Sequence, residues 1–202
     1  MTPITHQVVL DFWFGDGLQQ GWPSDDRGKL WWGGGKALDT TIDSQFGPLV
    51  RSAVAGGLSE WESDPLQRLA LIILLDQFTR NVFRGHADAF SGDARSQRLV
   101  RQWLDLNLDH AMAPVARAFS YMPLMHAENL AHQDECVRRF TQLQADAPPG
   151  FKHHIDAHLK SAVEHRDIIV RFGRFPHRNQ VLGRTPTEAE TAFLTNGPRF
   201  GQ

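Results

Sequence analysis

The sequence contains one cysteine, one tyrosine and little net charge, and these shortages exclude several classes of protein. Cys136 is the only cysteine among 202 residues, so no internal disulfide can form, which is typical of a reducing compartment. The formal net charge of -2 gives no overall attraction to nucleic acid or to an anionic membrane. No apolar run reaches membrane-spanning length, and residues 1–14 lack the pattern of a secretory signal. We therefore expect a cytoplasmic protein that binds neither nucleic acid nor membranes.

The remaining composition is that of an ordinary globular protein. Hydrophobic residues make up 41% and charged residues 22% of the chain, and the length suits one domain over residues 1–202. No segment alternates with period two, whereas apolar residues recur at helical spacing throughout. The pattern predicts an all-α fold of about seven to nine helices without a sheet.

The stretch from Pro65 to Arg84 organises this prediction. Asp64 and Pro65 are typical of a helix start, an apolar run follows at residues 69–75, and Gly85 stands where a helix ends. We therefore expect one continuous helix. Its second half is polar but retains Phe78 and Val82, which indicates partial burial and requires partners for the charged groups. The polar residues of this half are Asp76, Gln77, Arg80, Asn81 and Arg84.

Two further segments carry candidate functional groups. We expect Pro123 to begin a helix with His126 and Glu128 near its start, where negative charge is favourable. Residues 171–187 contain four arginines and His177 but no acidic residue. The guanidinium groups of Arg174 and Arg178 in this segment need either the carboxylates of Asp76 and Glu128 or a bound anion.

Four motifs resemble the bacterial DUF924 family, in the order found in that family. They are Phe12-Trp13-Phe14, residues 74–85 (LLDQFTRNVFRG), residues 121–128 (YMPLMHAE) and residues 171–184 (RFGRFPHRNQVLGR). The resemblance covers nearly the whole chain and implies a TPR-like all-helical fold, without an assigned activity. The chain departs from the family's usual residues at Thr79, Ala127 and His132. No internal repeat of TPR length is visible in the sequence.

The first functional hypothesis is a charged pocket for a small anionic molecule that carries a carboxylate or phosphate, in a binding protein or an enzyme. The acid-base candidates are Asp76, His126, Glu128 and His177. The candidate ligand-binding residues are Gln77, Arg80, Asn81, Arg84, Arg174, Arg178 and Asn179. No serine or cysteine nucleophile signature is present, and the residues leave open whether a reaction is catalysed.

The second hypothesis is a TPR-like scaffold that binds a peptide or protein, with the charged motifs forming structural salt bridges. Exposed aromatic residues would then carry the affinity, and the candidates are Trp22, Trp31 and Trp61. The arrangement of the arginines distinguishes the hypotheses. If Arg80, Arg174 and Arg178 converge on an open cavity, the pocket is favoured; if Asp76 and Glu128 occupy all of them in a closed network, it is not.

The spacing of the histidines near the C-terminal end of the chain is the third pattern that bears on function, because it could indicate a metal site. His154 and His158 are four residues apart, and His165 follows seven residues later. Zinc and di-iron sites on helices need further ligands in patterns such as His-Glu-x-x-His, which the chain lacks. We therefore expect neither a metal nor a cofactor.

Overall fold

The structure, a computed structural model, describes residues 4–198 and contains ten α-helices in that range. Eight of them have at least eight residues, and no strand occurs within residues 4–198, so the all-α prediction is confirmed. The TPR-like arrangement stays a prediction. The helices are α1 (His6–Phe14), α2 (Gly17–Gln20), α3 (Lys36–Val54), α4 (Pro65–Ile72), α5 (Thr79–Val82), α6 (Asp93–Asp105), α7 (Pro114–Met125), α8 (Leu130–Asp146), α9 (Lys152–Phe172) and α10 (Glu188–Asn196).

No helix in the described part of the chain combines the length and the apolar character needed to cross a bilayer. The longest, α9, has 21 residues but is amphipathic, with charged residues on its outer face.

The central helical segment, residues 65–82, carries most of the inner core. The Asp64 side chain accepts hydrogen bonds from the amides of Leu66 and Gln67, both at 3.0 Å, and so caps its start. Residues 69–75 are completely buried. The segment is continuously helical as predicted, but a π-helical stretch, Ile73–Phe78, joins α4 to α5, and the helix ends at Val82. Since a π-turn contains an extra residue, it rotates the side chains that follow it relative to an α-helix.

Helix α7 packs against the central segment and is buried from Val115 to Met125. It runs through Pro123, and the chain then crosses to α8, which begins at Leu130 after capping by Asn129. The prediction that Pro123 begins a helix containing His126 and Glu128 is therefore wrong. A proline in the last turn removes only one helical hydrogen bond, and the tight burial of this turn compensates. His126 and Glu128 lie in the connection between α7 and α8.

The start of α6 approaches the central segment so closely that it accepts only glycine at one position. A Cβ atom on Gly92 would overlap the carbonyl group of Leu75 in the π-helical stretch. This approach matters for the site because Asp93, the first residue of α6, is thereby brought to Arg80, with 2.6 Å between Oδ1 and a guanidinium nitrogen.

Helices α7, α8 and α9 pack together and bury Cys136 of α8 completely. Its Sγ atom lies 3.7 Å from the carbonyl oxygen of Tyr121. Burial raises the pKa of this thiol, so that it stays protonated and inert.

Candidate functional site

A cavity of about 970 Å³ lies between the central segment, the α7–α8 connection, α9 and the loop at residues 22–35. Predicted site residues from three separate parts of the sequence line it: Gln77, Arg80, Asn81, Arg84, His126, His177 and Arg178. The other four predicted residues, Asp76, Glu128, Arg174 and Asn179, do not form part of its lining.

Asp76 lies directly behind His126. Nδ1 of His126 is 2.8 Å from Oδ1 and 3.0 Å from Oδ2 of the carboxylate, which is only 1% exposed. Burial by itself raises the pKa of Asp76, but the charge and hydrogen bond of His126, with help from Arg80, bring the net pKa below its ordinary value. The ionised carboxylate only accepts hydrogen bonds, so Nδ1 of His126 carries a proton and donates it. Nε2 is left as the nitrogen that can exchange a proton with a ligand.

Arg80 and Arg178 meet at the carboxylate of Asp93. Arg80 lies 2.6 Å from Oδ1 and also bonds the carbonyl oxygen of Ala89, while Arg178 lies 3.3 Å from Oδ2. Arg80 is also 3.7 Å from Asp76. Burial, and then the charge of Arg80, lower the pKa of Arg178 to about 10, so that Arg178 remains cationic at neutral pH.

Arg178 is held between two aromatic rings. Its guanidinium carbon lies 4.4 Å from the ring centre of Phe90 and 4.7 Å from that of Phe175. One terminal nitrogen donates a hydrogen bond of 3.0 Å to the carbonyl oxygen of His126, whereas the buried Nε has no acceptor among residues 4–198. Arg178 therefore holds the backbone of His126 in place, while Asp76 holds the His126 ring.

Arg84 and Asn81 share one acid. Arg84 donates to Asp39 of α3 at 2.7 and 3.0 Å, and Asn81 donates to the same carboxylate at 2.9 Å. Burial opposes ionisation of Asp39, but the hydrogen bonds of Arg84 and Asn81 lower its pKa overall.

Glu128 lies outside the cavity lining and forms a salt bridge with Arg184. Its carboxylate accepts hydrogen bonds from Arg184 at 2.6 and 2.9 Å and from the amide of Phe175 at 2.8 Å. The expected partners, Arg174 and Arg178, do not hydrogen-bond to it among the described contacts. Glu128 thus fastens the segment that carries Arg178 to the α7–α8 connection.

Arg174 and Asn179 turn away from the cavity toward α10. Arg174 donates to Glu190 at 2.6 and 2.8 Å and to the carbonyl oxygen of Thr185 at 3.0 Å, and Asn179 donates to Glu190 at 3.2 Å. The expectation that Arg174 pairs with Asp76 or Glu128, or with a bound anion, is therefore wrong. Glu190 already belongs to the capping box of α10 and supplies the missing carboxylate.

One face of α9 forms a continuous side of the cavity, which we call the α9 stripe: His154, His158, Ser161 and His165. Burial lowers the pKa of His158 to about 4 and that of His165 to about 3, with smaller effects from His154 and His126 respectively, so both rings are neutral at pH 7. Nδ1 of His165 lies 2.7 Å from the carbonyl oxygen of Ser161, to which it donates. Burial, then Arg178, lowers the pKa of nearby His177 to about 3.

A family described as bacterial protein of unknown function (DUF924) matches residues 9–198. The chain belongs to this family.

A solved structure supports the same relationship. The DUF924 chain is similar to the protein of unknown function ATU0120 from Agrobacterium tumefaciens, with 32% identity and a TM-score of 0.75, over 95% of this chain and 97% of that one. No match was found among curated proteins.

The tryptophans of this DUF924 protein are not exposed at the positions that the scaffold hypothesis requires. Trp22 and Trp61 are buried, and Trp31 is partly buried with its Nε1 donating to the carbonyl oxygen of Trp13 at 3.0 Å. The expectation of exposed anchors at Trp22 and Trp61 is therefore wrong. Trp32 is instead the exposed indole, at 56%, and it lies on the cavity wall.

The three arginines that distinguish an open pocket from a closed network do not all behave alike in the DUF924 chain. Arg80 and Arg178 reach the cavity and Arg174 does not. Their carboxylate partners are mainly Asp93 and Glu190. Sequence reasoning missed Asp39, Asp93 and Glu190, because single acids on helices give no signal that separates them from solvated ones. It considered the spacing of the α9 histidines only as a metal site, which it rejected, and so did not place these histidines on the wall of a cavity.

Proposed function

We propose that this protein binds a small organic anion in the cavity and that His126 exchanges a proton with it. The proposal depends on one observation: His126 bonds the buried Asp76 through Nδ1 and faces the cavity beside Arg80 and Arg178. An imidazole whose Nδ1 donates to a buried carboxylate keeps Nε2 for proton exchange with a ligand, which is the arrangement of a general acid or base.

The formal charges around His126 in the cavity favour an anion only when His126 is protonated. Arg80 and Arg178 are balanced by Asp76 and Asp93, so the four groups sum to zero, and protonated His126 adds one positive charge. The neighbouring His165 and His177 stay neutral because of their low pKa. A monoanion therefore matches the charge of the protonated site.

Two buried donors also support an oxygen-rich ligand. Nε of Arg178 and Nε1 of Trp13 are buried without an acceptor in the described chain, and both residues line the cavity. An unmade hydrogen bond at a buried donor costs about 1–3 kcal/mol, which a ligand oxygen would recover after a small local movement.

Thermal-shift measurements with acetate, benzoate, phosphate and phenyl phosphate test the binding. We expect stabilisation by at least one of these anions over chloride at equal ionic strength, because a ligand of the folded state raises its melting temperature. Arg178→Ala should abolish the shift. Arg174→Ala is the matched control, since it removes a similarly paired arginine outside the cavity, and it should retain the shift.

His126→Asn keeps the test decisive if Arg178→Ala fails to fold, because His126 is less buried. Calorimetry at a series of pH values, in buffers of different ionisation enthalpy, should show proton uptake with the bound anion in the wild type. The His126→Asn variant should show none. Equal binding and equal proton uptake in both proteins would contradict the proposal.

A further inference from the structure

We propose that the ligand is an aryl-alkyl carboxylate that spans the cavity, with its aromatic ring against Trp32 and its carboxylate beside His126 and Arg178. This inference rests on the proposed function and identifies the chemical class of the anion.

The ring-binding end is built around Trp32. The indole packs on the edge of His158, with ring centres 5.5 Å apart at 66°, and lies nearly parallel to Phe119, at 6.1 Å and 13°. Trp31 contacts it at 6.2 Å. An indole held on one side by other rings but 56% exposed on a cavity wall offers a fixed apolar surface, which an aromatic ring covers well.

The acid-binding end is at the other end of the α9 stripe. The ring centres of His165 and His126 are 6.1 Å apart, and His165 also packs on Phe175, which covers Arg178. His165 thus belongs to the group of residues that includes the Asp76–His126 pair. His158, which contacts Trp32, belongs to the other end.

The helix sets the distance between the two ends. His158 and His165 are seven residues apart on α9, so two helical turns separate them by about 10 Å. Ser161 lies between them on the same wall. A single ligand that contacts both ends must therefore bridge roughly two helical turns.

The α9 side of the cavity between the two ends carries no formal charge. His158 and His165 are neutral at pH 7 because burial lowers their pKa values, and Ser161 is uncharged. Met122 and Met125 of α7 also line the cavity and add flexible apolar surface. Such a wall suits a hydrocarbon linker. The single positive charge that protonated His126 adds suits a carboxylate better than a dianionic phosphate.

A series of ligands with increasing chain length tests the spacing. Calorimetric dissociation constants would be measured for phenylacetate, phenylbutyrate, phenylhexanoate and phenyloctanoate. We expect an optimum at phenylhexanoate, whose extended length is closest to two helical turns. Hexanoate lacks the ring and phenylhexanamide lacks the charge, and both should bind at least tenfold more weakly. Affinity without a length optimum, or tighter binding of phenylpentyl phosphate, would overturn the inference.

Substitution of Trp32 tests the ring contact separately. Trp32→Ala should weaken phenylhexanoate about tenfold, the value of a good aromatic contact, and leave hexanoate unchanged. Leu106→Ala is the control, because Leu106 is 64% exposed and lies outside the cavity, and it should change neither. An unchanged length optimum in Trp32→Ala would overturn the inference while leaving anion binding intact. If no carboxylate or phosphate binds, with or without a ring, the proposed function fails and this inference fails with it.

Discussion

Nδ1 of His126 lies 2.8 Å from Oδ1 of Asp76, although 50 positions separate the two residues in the chain. The pair joins the π-helical stretch of the central segment to the connection after α7. Both residues therefore depend on the packing of α7 against that segment for their alignment, which couples the core to the chemistry of the cavity.

The first prediction concerns the tautomer of His126. In the wild type the neutral ring should carry its proton on Nδ1, because the ionised Asp76 only accepts. Asp76→Asn replaces this acceptor with a group that also donates, so the Nε2 tautomer should become populated. Long-range proton–nitrogen NMR spectra of the imidazoles distinguish the two forms. His165 is the internal control, since its Nδ1 donates to a backbone carbonyl in both proteins.

The second prediction concerns acid stability. The folded pKa of His158, about 4, is below the unfolded value of about 6.5, so the unfolded chain binds more protons between these values. Stability therefore falls as pH falls, by about 1.4 kcal/mol per pH unit for this residue. His158→Phe keeps a ring stacked on Phe140, at 5.5 Å in the wild type, and removes the titrating group.

Urea unfolding between pH 6 and pH 4 should show that His158→Phe loses stability less steeply with falling pH than the wild type, by about 1.4 kcal/mol per pH unit. His110→Gln, which removes an exposed imidazole, should keep the slope of the wild type. Identical slopes in His158→Phe and wild type would show that His158 titrates as an exposed residue does.

The third prediction concerns Glu190. Its hydrogen bonds, led by those from Arg174, lower its pKa to about 2, below an unfolded value of about 4.3. A carboxyl group whose pKa is lower in the folded state stabilises that state at pH values above its pKa in the unfolded chain. This stabilisation is lost as the pH falls toward 2. Glu190→Gln should therefore cost about 1–2 kcal/mol at pH 6 and progressively less below about pH 4.3.

Urea unfolding at a series of pH values measures this difference, and Glu188→Gln is the comparison. Glu188 occupies the first turn of the same helix but is exposed, so its loss should change stability by less than about 0.5 kcal/mol. A pH-independent deficit in Glu190→Gln would indicate a packing defect rather than the loss of an ionic contact.

The fourth prediction concerns the approach of α6 to the central segment. Gly92→Ala places a methyl group against the backbone of Leu75, which must move, so we expect a loss of about 1–3 kcal/mol in unfolding free energy. Since Asp93 follows directly, the variant should also weaken anion binding. Gly150→Ala has open space around its Cβ position and should stay near wild-type stability in the same urea titration. Equal stability of both variants would contradict the close approach.

Local signals predicted much of the fold. The cap at Asp64 and the apolar run of the central segment are contained in one stretch of sequence, and the structure has both. The boundary after α7 was missed because Pro123 usually interrupts a helix, and the burial that compensates for it comes from distant residues. The π-helical stretch could not be predicted, because its residues show no pattern that differs from that of an ordinary buried α-helix.

The candidate site was only partly predictable for a similar reason. Unusual clusters of arginine and histidine identified Arg80, His126 and Arg178, which the fold brings to one cavity. The pairing of each arginine depends on which acid the packing places beside it. Asp93 meets Arg80 only because Gly92 permits the approach of α6, and Glu190 meets Arg174 only because α10 docks near the end of α9.

The complete burial of Cys136 has a practical consequence for studying the cavity. A maleimide dye or spin label cannot reach the native sulfur while the protein is folded, because the reagents require an accessible thiolate. One cysteine introduced at an exposed position on the cavity rim would therefore be labelled alone, and this single-substitution variant could report movements of the rim with Cys136 left in place.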